Sequence, residues 1–128
     1  MADHAAATLA LWRRSRFDWG HTDCIMATCD HIARVTGIDP AAPWRGSYDD
    51  EAGARTIYEA HGGPLGLFRN GMARAGFVTG SRGIGRPVVA LVFGHEIAGL
   101  DLGDRIAFMA ERRGAVSMKA NVMEAWQI

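Results

Sequence analysis

The chain has 128 residues, with fourteen basic and fourteen acidic side chains and a formal net charge of zero. That length suits one domain, residues 1–128, with a core large enough to need no covalent staples. Charge balance removes the basic footprint that nucleic-acid binding requires, and the short clusters Arg13-Arg14 and Arg112-Arg113 read as solvated surface. Sixteen glycines and four prolines imply many tight turns and an α+β architecture rather than a helix bundle.

The first ten residues are alanine-rich, lack a basic start and run into Trp12-Arg13-Arg14. They read as neither signal peptide nor membrane span, so the expectation is synthesis in the cytoplasm without a leader and no membrane span. Residues 8–16 predict a first helix with Leu9, Leu11 and Trp12 available for burial. The turn Trp19-Gly20-His21-Thr22-Asp23 then leads into Cys24. Ile25, Cys29, Ile32 and Thr36 recur at helical spacing up to Gly37, which makes Asp23 the N-cap and Cys24 the first helical residue. Unpaired amides and the helix dipole at that position favour a thiolate, whereas the neighbouring Asp23 carboxylate opposes it. Cys29 lies on the apolar stripe and reads as core. The two cysteines face different sides of one helix and are not expected to bridge.

A Pro-punctuated loop with Trp44 and Tyr48 follows, and these aromatics read as a cover. Asp49 or Asp50 can cap a third helix at 51–61, and Pro64 opens a fourth with Leu65, Phe68, Met72 and Ala75 on one face, closed by Gly76. The period then changes to that of strands. Residues 87–93 form a near-continuous apolar strand, Gly94-His95-Glu96 reads as a turn, and strands are predicted at 97–102, 105–109, 115–118 and around 124–128, with Gly103-Asp104 as a hairpin signal. Helices first, an antiparallel meander second, and a cysteine opening a helix packed on the sheet is a papain-like order. Trp126 and Ile128 are placed either at a docking edge or in the sheet core.

Several stretches carry a family resemblance. They are Trp19-Gly20 followed by Asp23-Cys24, Thr36-Gly37-Ile38-Asp39-Pro40, Arg45-Gly46-Ser47-Tyr48, the strand after Gly85, Ala98-Gly99-Leu100-Asp101-Leu102-Gly103 and Ala125-Trp126. From about residue 16 onward their order resembles a phage-tail family related to NlpC-type cell-wall cysteine peptidases. The resemblance implies an α+β, papain-like NlpC-type fold, with N-terminal helices on a C-terminal antiparallel sheet. It also implies a place in a virion tail near the tip, other tail proteins as partners, and peptidoglycan stem peptides as the substrate of active relatives. Cys24 matches the nucleophile, with Trp19, Gly20, His21 and Asp23 as the supporting turn.

Two departures stand out. The enzymes carry a His-Val-Gly-Ile-like strand where this chain has Ile97-Ala98-Gly99-Leu100, and their Gly-Asp is Gly85-Arg86 here. Without an imidazole the thiol has no proton acceptor and the leaving amine no donor. His95, two residues earlier on the same strand face and displaced by roughly 6 to 7 Å, and His21 are the substitute bases. His31 lies about 10 Å along the helix and is too far away. Asp101 and Asp104 are near in sequence without an assignable orienting role. His21, Cys24, Cys29 and His31 do not form a closed four-ligand set, so neither metal nor cofactor is expected. Two functions stay open: a degenerate relative with an assembly or adaptor role, or a tail-associated peptidase using Cys24 and His95.

Overall fold

A computed structural model describes residues 2–128. Four helices precede five strands: α1 (Ala2–Arg13), α2 (Cys24–Thr36), α3 (Glu51–Ala60), α4 (Pro64–Ala75), β1 (Pro87–Val92), β2 (His95–Asp101), β3 (Ile106–Ala110), β4 (Gly114–Met118) and β5 (Asn121–Ala125). The α+β class expected from the sequence is what is found.

The helix ends follow their capping residues. Asp23 accepts from the Met26 amide at 2.9 Å at the start of α2, and left-handed Gly37 closes that helix. Of the two candidate caps for α3, it is Asp50 that accepts, from the Gly53 amide at 2.7 Å. Gly63 has no side chain with which to cap α4, and Pro64 has no N–H to be capped. Glu96 reaches across from β2 instead and accepts from the Leu65 amide at 3.1 Å, placing a carboxylate at the positive end of the helix. The first helix begins earlier than expected and ends earlier too, at Arg13; Trp12 is buried, but Leu11 faces solvent.

All strand pairs are antiparallel, in the order β4-β3-β2-β1-β5. The first four strands form the expected meander, but β5 returns to the far edge beside β1. Consecutive β4 and β5 thus occupy opposite edges while only Lys119 and Ala120 separate them. Three Cα steps span at most about 11 Å, whereas the edges of a flat five-stranded sheet lie about 19 Å apart. The sheet must therefore roll until its edges approach each other at one end. Inside the roll, Val88, Ala90, Val92, Ile106, Phe108 and Ala125 form a small core, lined by Val116 and Met118 from one edge and Val122 from the other.

The outer, convex face carries the main core. Ile25, Cys29 and Ile32 of α2 and Leu65, Phe68 and Met72 of α4 pack over Val89 and Ala98. Trp126 is buried here, its ring edge-to-face with Phe68 at 5.0 Å, so it completes the core and offers no docking edge. Trp44 and Tyr48 close the same core from the loop, which Arg45 ties down by ion pairs to Asp39 and Asp30, both at 2.9 Å. Among the described residues, no helix is long and apolar enough to cross a membrane.

Several strand boundaries differ from expectation: the last strand runs earlier, at Asn121–Ala125 rather than around 124–128, β3 is shifted by one residue, β4 starts one residue earlier, and the β1–β2 turn is displaced. β2 starts at His95, so His95 and Glu96 are strand residues, and the turn consists of Phe93 and Gly94. Val92 pairs with His95, and both turn residues have positive φ, 48° at Phe93 and 82° at Gly94. This is the two-residue hairpin geometry that favours Asn-Gly. A bulky residue in the left-handed region there costs on the order of 1 kcal/mol.

Candidate functional site

Cys24 opens α2 beneath a turn that only glycine can make. Gly20 has φ 83°, and a Cβ there would stand 1.9 Å from the Tyr48 carbonyl oxygen. The turn is locked through Asp23, which is fully buried. Its Oδ2 accepts from the Gly20 amide at 2.9 Å and from the Tyr48 hydroxyl at 2.6 Å, while Oδ1 accepts from the Met26 amide. One carboxylate therefore fixes the turn, the helix start and the aromatic loop together, a role the sequence suggested only in part, as an N-cap. Burial first, and the Asp23 charge second, push the Tyr48 hydroxyl well above its usual range, which keeps it a donor.

The thiol of Cys24 faces β2 where the sheet splays. The β2–β3 ladder is confined to Leu100↔Ala107 and Asp101↔Ile106, leaving the first half of β2 unpaired on that side. There the Ala98 backbone N–H is directed at the Cys24 sulfur. Ile97 fills the gap, half-buried, packing against both the helix-side core and the core inside the roll. Cys24 is 9% exposed. Desolvation first, and the Asp23 charge second, push its pKa from 9.0 up to about 12, although the surrounding amides pull the other way. Tyr58 stands close by and is itself raised, by burial and by the Cys24 and Asp23 charges. At neutral pH this is a protonated thiol in an apolar setting.

A cavity of about 670 Å³ opens over the thiol, walled by Trp19, Tyr58, Leu91, Ile97 and Phe108, with Glu51, Arg55, Glu96 and Glu111 at its mouth. His95 lines the same cavity. It is exposed, and among the described residues no hydrogen bond joins it to Cys24. His21 is also exposed, with its ring edge beside Gly46, and does not line the cavity. Of the supporting residues, Trp19 enters the cavity wall, whereas Gly20 and Asp23 shape the turn behind it. Asp101 orients no histidine: it is 1% exposed and held by Arg82 through two contacts of 3.0 Å and by the Gly103 amide at 2.8 Å. Asp104 lies in the exposed β2–β3 turn.

Cys29 is a buried free thiol, raised by the same desolvation, and no disulfide joins it to Cys24. Among the described residues, no group of three or more His, Cys, Asp or Glu side chains is arranged to hold a metal ion.

His31 has a role that sequence reasoning missed. It is completely buried; its Nε2–H donates to the Gly85 carbonyl at 2.8 Å, and Nδ1 accepts from the Thr8 hydroxyl at 2.6 Å. A carbonyl can only accept, so the tautomer is fixed. Arg34 donates to the same Thr8 oxygen at 2.9 Å. The chain α1–α2–Gly85 is thus stitched through a neutral imidazole, whose pKa burial lowers to about 4. No local sequence signal separates such a histidine from a catalytic one, because its partners lie 23 and 54 residues away.

No curated protein and no solved structure matches the chain. A family profile does match, over residues 1–128, and the chain accordingly belongs to DUF6950, a family described as a domain of unknown function.

Proposed function

We propose that the chain is a structural component of a phage or phage-like tail, near the tail tip, built on a degenerate NlpC-type, papain-like fold. In this reading Cys24 no longer serves as a nucleophile and the domain acts in assembly or as an adaptor. The tail assignment rests on the resemblance of the ordered motifs between residue 16 and the C-terminus. The observation that carries the loss of catalysis is Ile97: an aliphatic side chain occupies the strand position beside Cys24 that a proton acceptor would need.

The energetics agree with that assignment. A thiol with a pKa of about 12 is ionised at pH 7 in roughly one molecule in 10⁵, so a nucleophile here would depend entirely on a neighbouring base. Two polar groups that act on the thiol are the Ala98 amide, a donor, and the Tyr58 hydroxyl, whose own pKa is raised. Neither accepts a proton at neutral pH. What remains is an apolar cleft with a charged rim, suited to holding a partner's side chain.

A second reading has one observation in its favour: His95 lines the cavity that Cys24 floors. An active peptidase would use it as the base after the β1–β2 hairpin moved inward. The test is release of peptides from purified peptidoglycan by the wild type and by Cys24→Ala. No release by either is the expected result; release that depends on Cys24 refutes the degenerate reading in favour of the peptidase. The tail assignment is tested separately by mass spectrometry of purified particles, where absence of the chain overturns it.

A further inference from the structure

We infer that the cleft over Cys24 receives an extended segment of a partner protein, which adds a strand to the free edge of β2 and brings a lysine or arginine to Glu96 and Glu111. The inference rests on the adaptor reading and names what the cleft takes.

The backbone calls for a chain. Asp101 donates to the Arg86 carbonyl and its own carbonyl accepts from the Gly85 amide, both on the β1 side. Strand alternation then turns the backbone groups of Leu100, Ala98 and Glu96 the other way, toward β3. Leu100 meets Ala107 there, but the ladder extends no further along β2 toward its start. The Ala98 N–H is left to the Cys24 sulfur, a weak acceptor. Continued in register, the ladder would set Glu96 opposite Glu111, and like charges at facing positions oppose closure. Among the described residues no backbone bond joins these two, and both line the cavity. Half-buried Glu96 thus turns its N–H and C=O into the cleft without a strand partner, the state that strand addition satisfies.

The side chains specify the segment. Around the cavity Glu51, Glu96 and Glu111 stand against a single guanidinium, Arg55, which is already paired with Glu51 at 3.2 Å. Arg112 and Arg113 follow Glu111 in the turn but do not line the cavity. Glu96 accepts from the Leu65 amide through one oxygen, and neither Glu96 nor Glu111 has an ion pair among the described residues. The mouth is therefore complementary to a cation. Behind it the walls are aromatic, from Trp19, Tyr58 and Phe108. In an extended segment, side chains two residues apart share a face at roughly 6–7 Å, the spacing that also separates Ala98 from Glu96. The segment accordingly sets an apolar side chain beside Ala98, among the aromatic walls, and its cation two residues away at the glutamates. An acidic segment is repelled at the same place.

Two pools of fluorescent, end-blocked heptapeptides test this on the full chain. Both alternate threonine with apolar residues; the sixth residue is lysine in one pool and glutamate in the other. Anisotropy is expected to show saturable binding of the lysine pool and binding about tenfold weaker for the glutamate pool. Glu111→Lys, in an exposed turn, is expected to keep the melting temperature and to weaken the lysine pool about tenfold. Strand addition is read by hydrogen exchange, where the Glu96 amide is expected to slow about tenfold in the complex. No saturable binding, equal binding of the two pools, unchanged affinity in Glu111→Lys, or a complex that leaves the Glu96 amide unprotected overturns the inference. None of those failures touches the adaptor reading. That reading is checked in the same samples by mass spectrometry: intact peptides are expected, and cleavage that Cys24→Ala abolishes refutes it.

Discussion

The buried His31 makes acid sensitivity the most direct test of the fold. Its imidazole is neutral, donating to Gly85 and accepting from Thr8, and its pKa falls from 6.5 to about 4. Desolvation is the main cause, and the positive charge of Arg34 on the same helix and of His4 on α1 adds to it; the Gly85 carbonyl opposes the shift. Because the folded pKa lies below the unfolded one, the unfolded chain binds the extra proton first. The stability held by the neutral form is complete above about pH 6.5 and is lost as pH falls toward 4. Within that window the slope approaches about 1.4 kcal/mol per pH unit, giving a loss of about 2 kcal/mol by pH 5 and about 3 kcal/mol below pH 4. Urea titrations followed by tryptophan fluorescence at pH 8, 7, 6 and 5 measure this. His31→Gln, which can supply a donor and an acceptor but does not titrate, is expected to be less stable at pH 8 and to show a flatter profile down to pH 5. A wild-type profile that is flat between pH 8 and 5, or a variant that retains the wild-type slope, refutes the argument.

Two further outcomes follow from buried carboxylates. Tyr48→Phe removes the 2.6 Å hydroxyl bond to the fully buried Asp23 while preserving the ring, and is expected to cost about 1.5–3 kcal/mol in chemical denaturation; a change below about 0.5 kcal/mol would show that the bond does not anchor the turn. Arg82→Gln leaves Asp101 with the Gly103 amide as its main partner. Arg82 is 47% exposed and partly screened, so the expected loss at pH 7 is about 2 kcal/mol. Burial raises the Asp101 pKa, but the Arg82 guanidinium and the backbone amides outweigh it and hold the group below the usual carboxylate range. The wild-type advantage is therefore fully present above the ordinary Asp value of 3.8 and is lost as pH falls through the depressed folded value. An advantage that grows on acidification contradicts this assignment.

What could be read from the sequence was whatever neighbouring residues determine. Asp23 and Gly37 bracket α2, and Pro64 and Gly76 bracket α4, because capping and stop signals act within one turn of the residues they serve. The burial of Cys29 and Ile32 followed from helical periodicity in the same way. The Phe93-Gly94 turn was placed one residue late because phenylalanine carries no turn signal; the positive φ is imposed by strand pairing on both sides. The return of β5 to β1, the roll of the sheet, the His31 stitch and the Arg82 clamp all join residues 19 or more apart. No window of sequence contains both partners, so propensity cannot choose among the alternatives. At the candidate site, Cys24 and the adverse charge of Asp23 were legible, whereas the Ala98 amide and Tyr58 are brought in from β2 and α3, far from Cys24 in sequence.

Position 97 is where stability and chemistry compete. The splay between β2 and β3 brings the Cys24 sulfur to the strand, but it also opens a seam between the outer core and the core inside the roll. Ile97 touches both cores and seals that seam with a branched aliphatic side chain. An imidazole in its place would put polar nitrogens between two apolar clusters, where each unpaired polar atom costs about 1–3 kcal/mol. A charged imidazolium, required for a thiolate pair, would cost more still unless the cleft were hydrated. The site therefore takes one of two forms: a hydrated seam with a base and an ionised thiol, or a dry seam with a neutral one. With Ile97 in the gap, the Cys24 pKa near 12, and Asp23 already engaged by Gly20, Tyr48 and Met26, the seam holds a neutral thiol at pH 7.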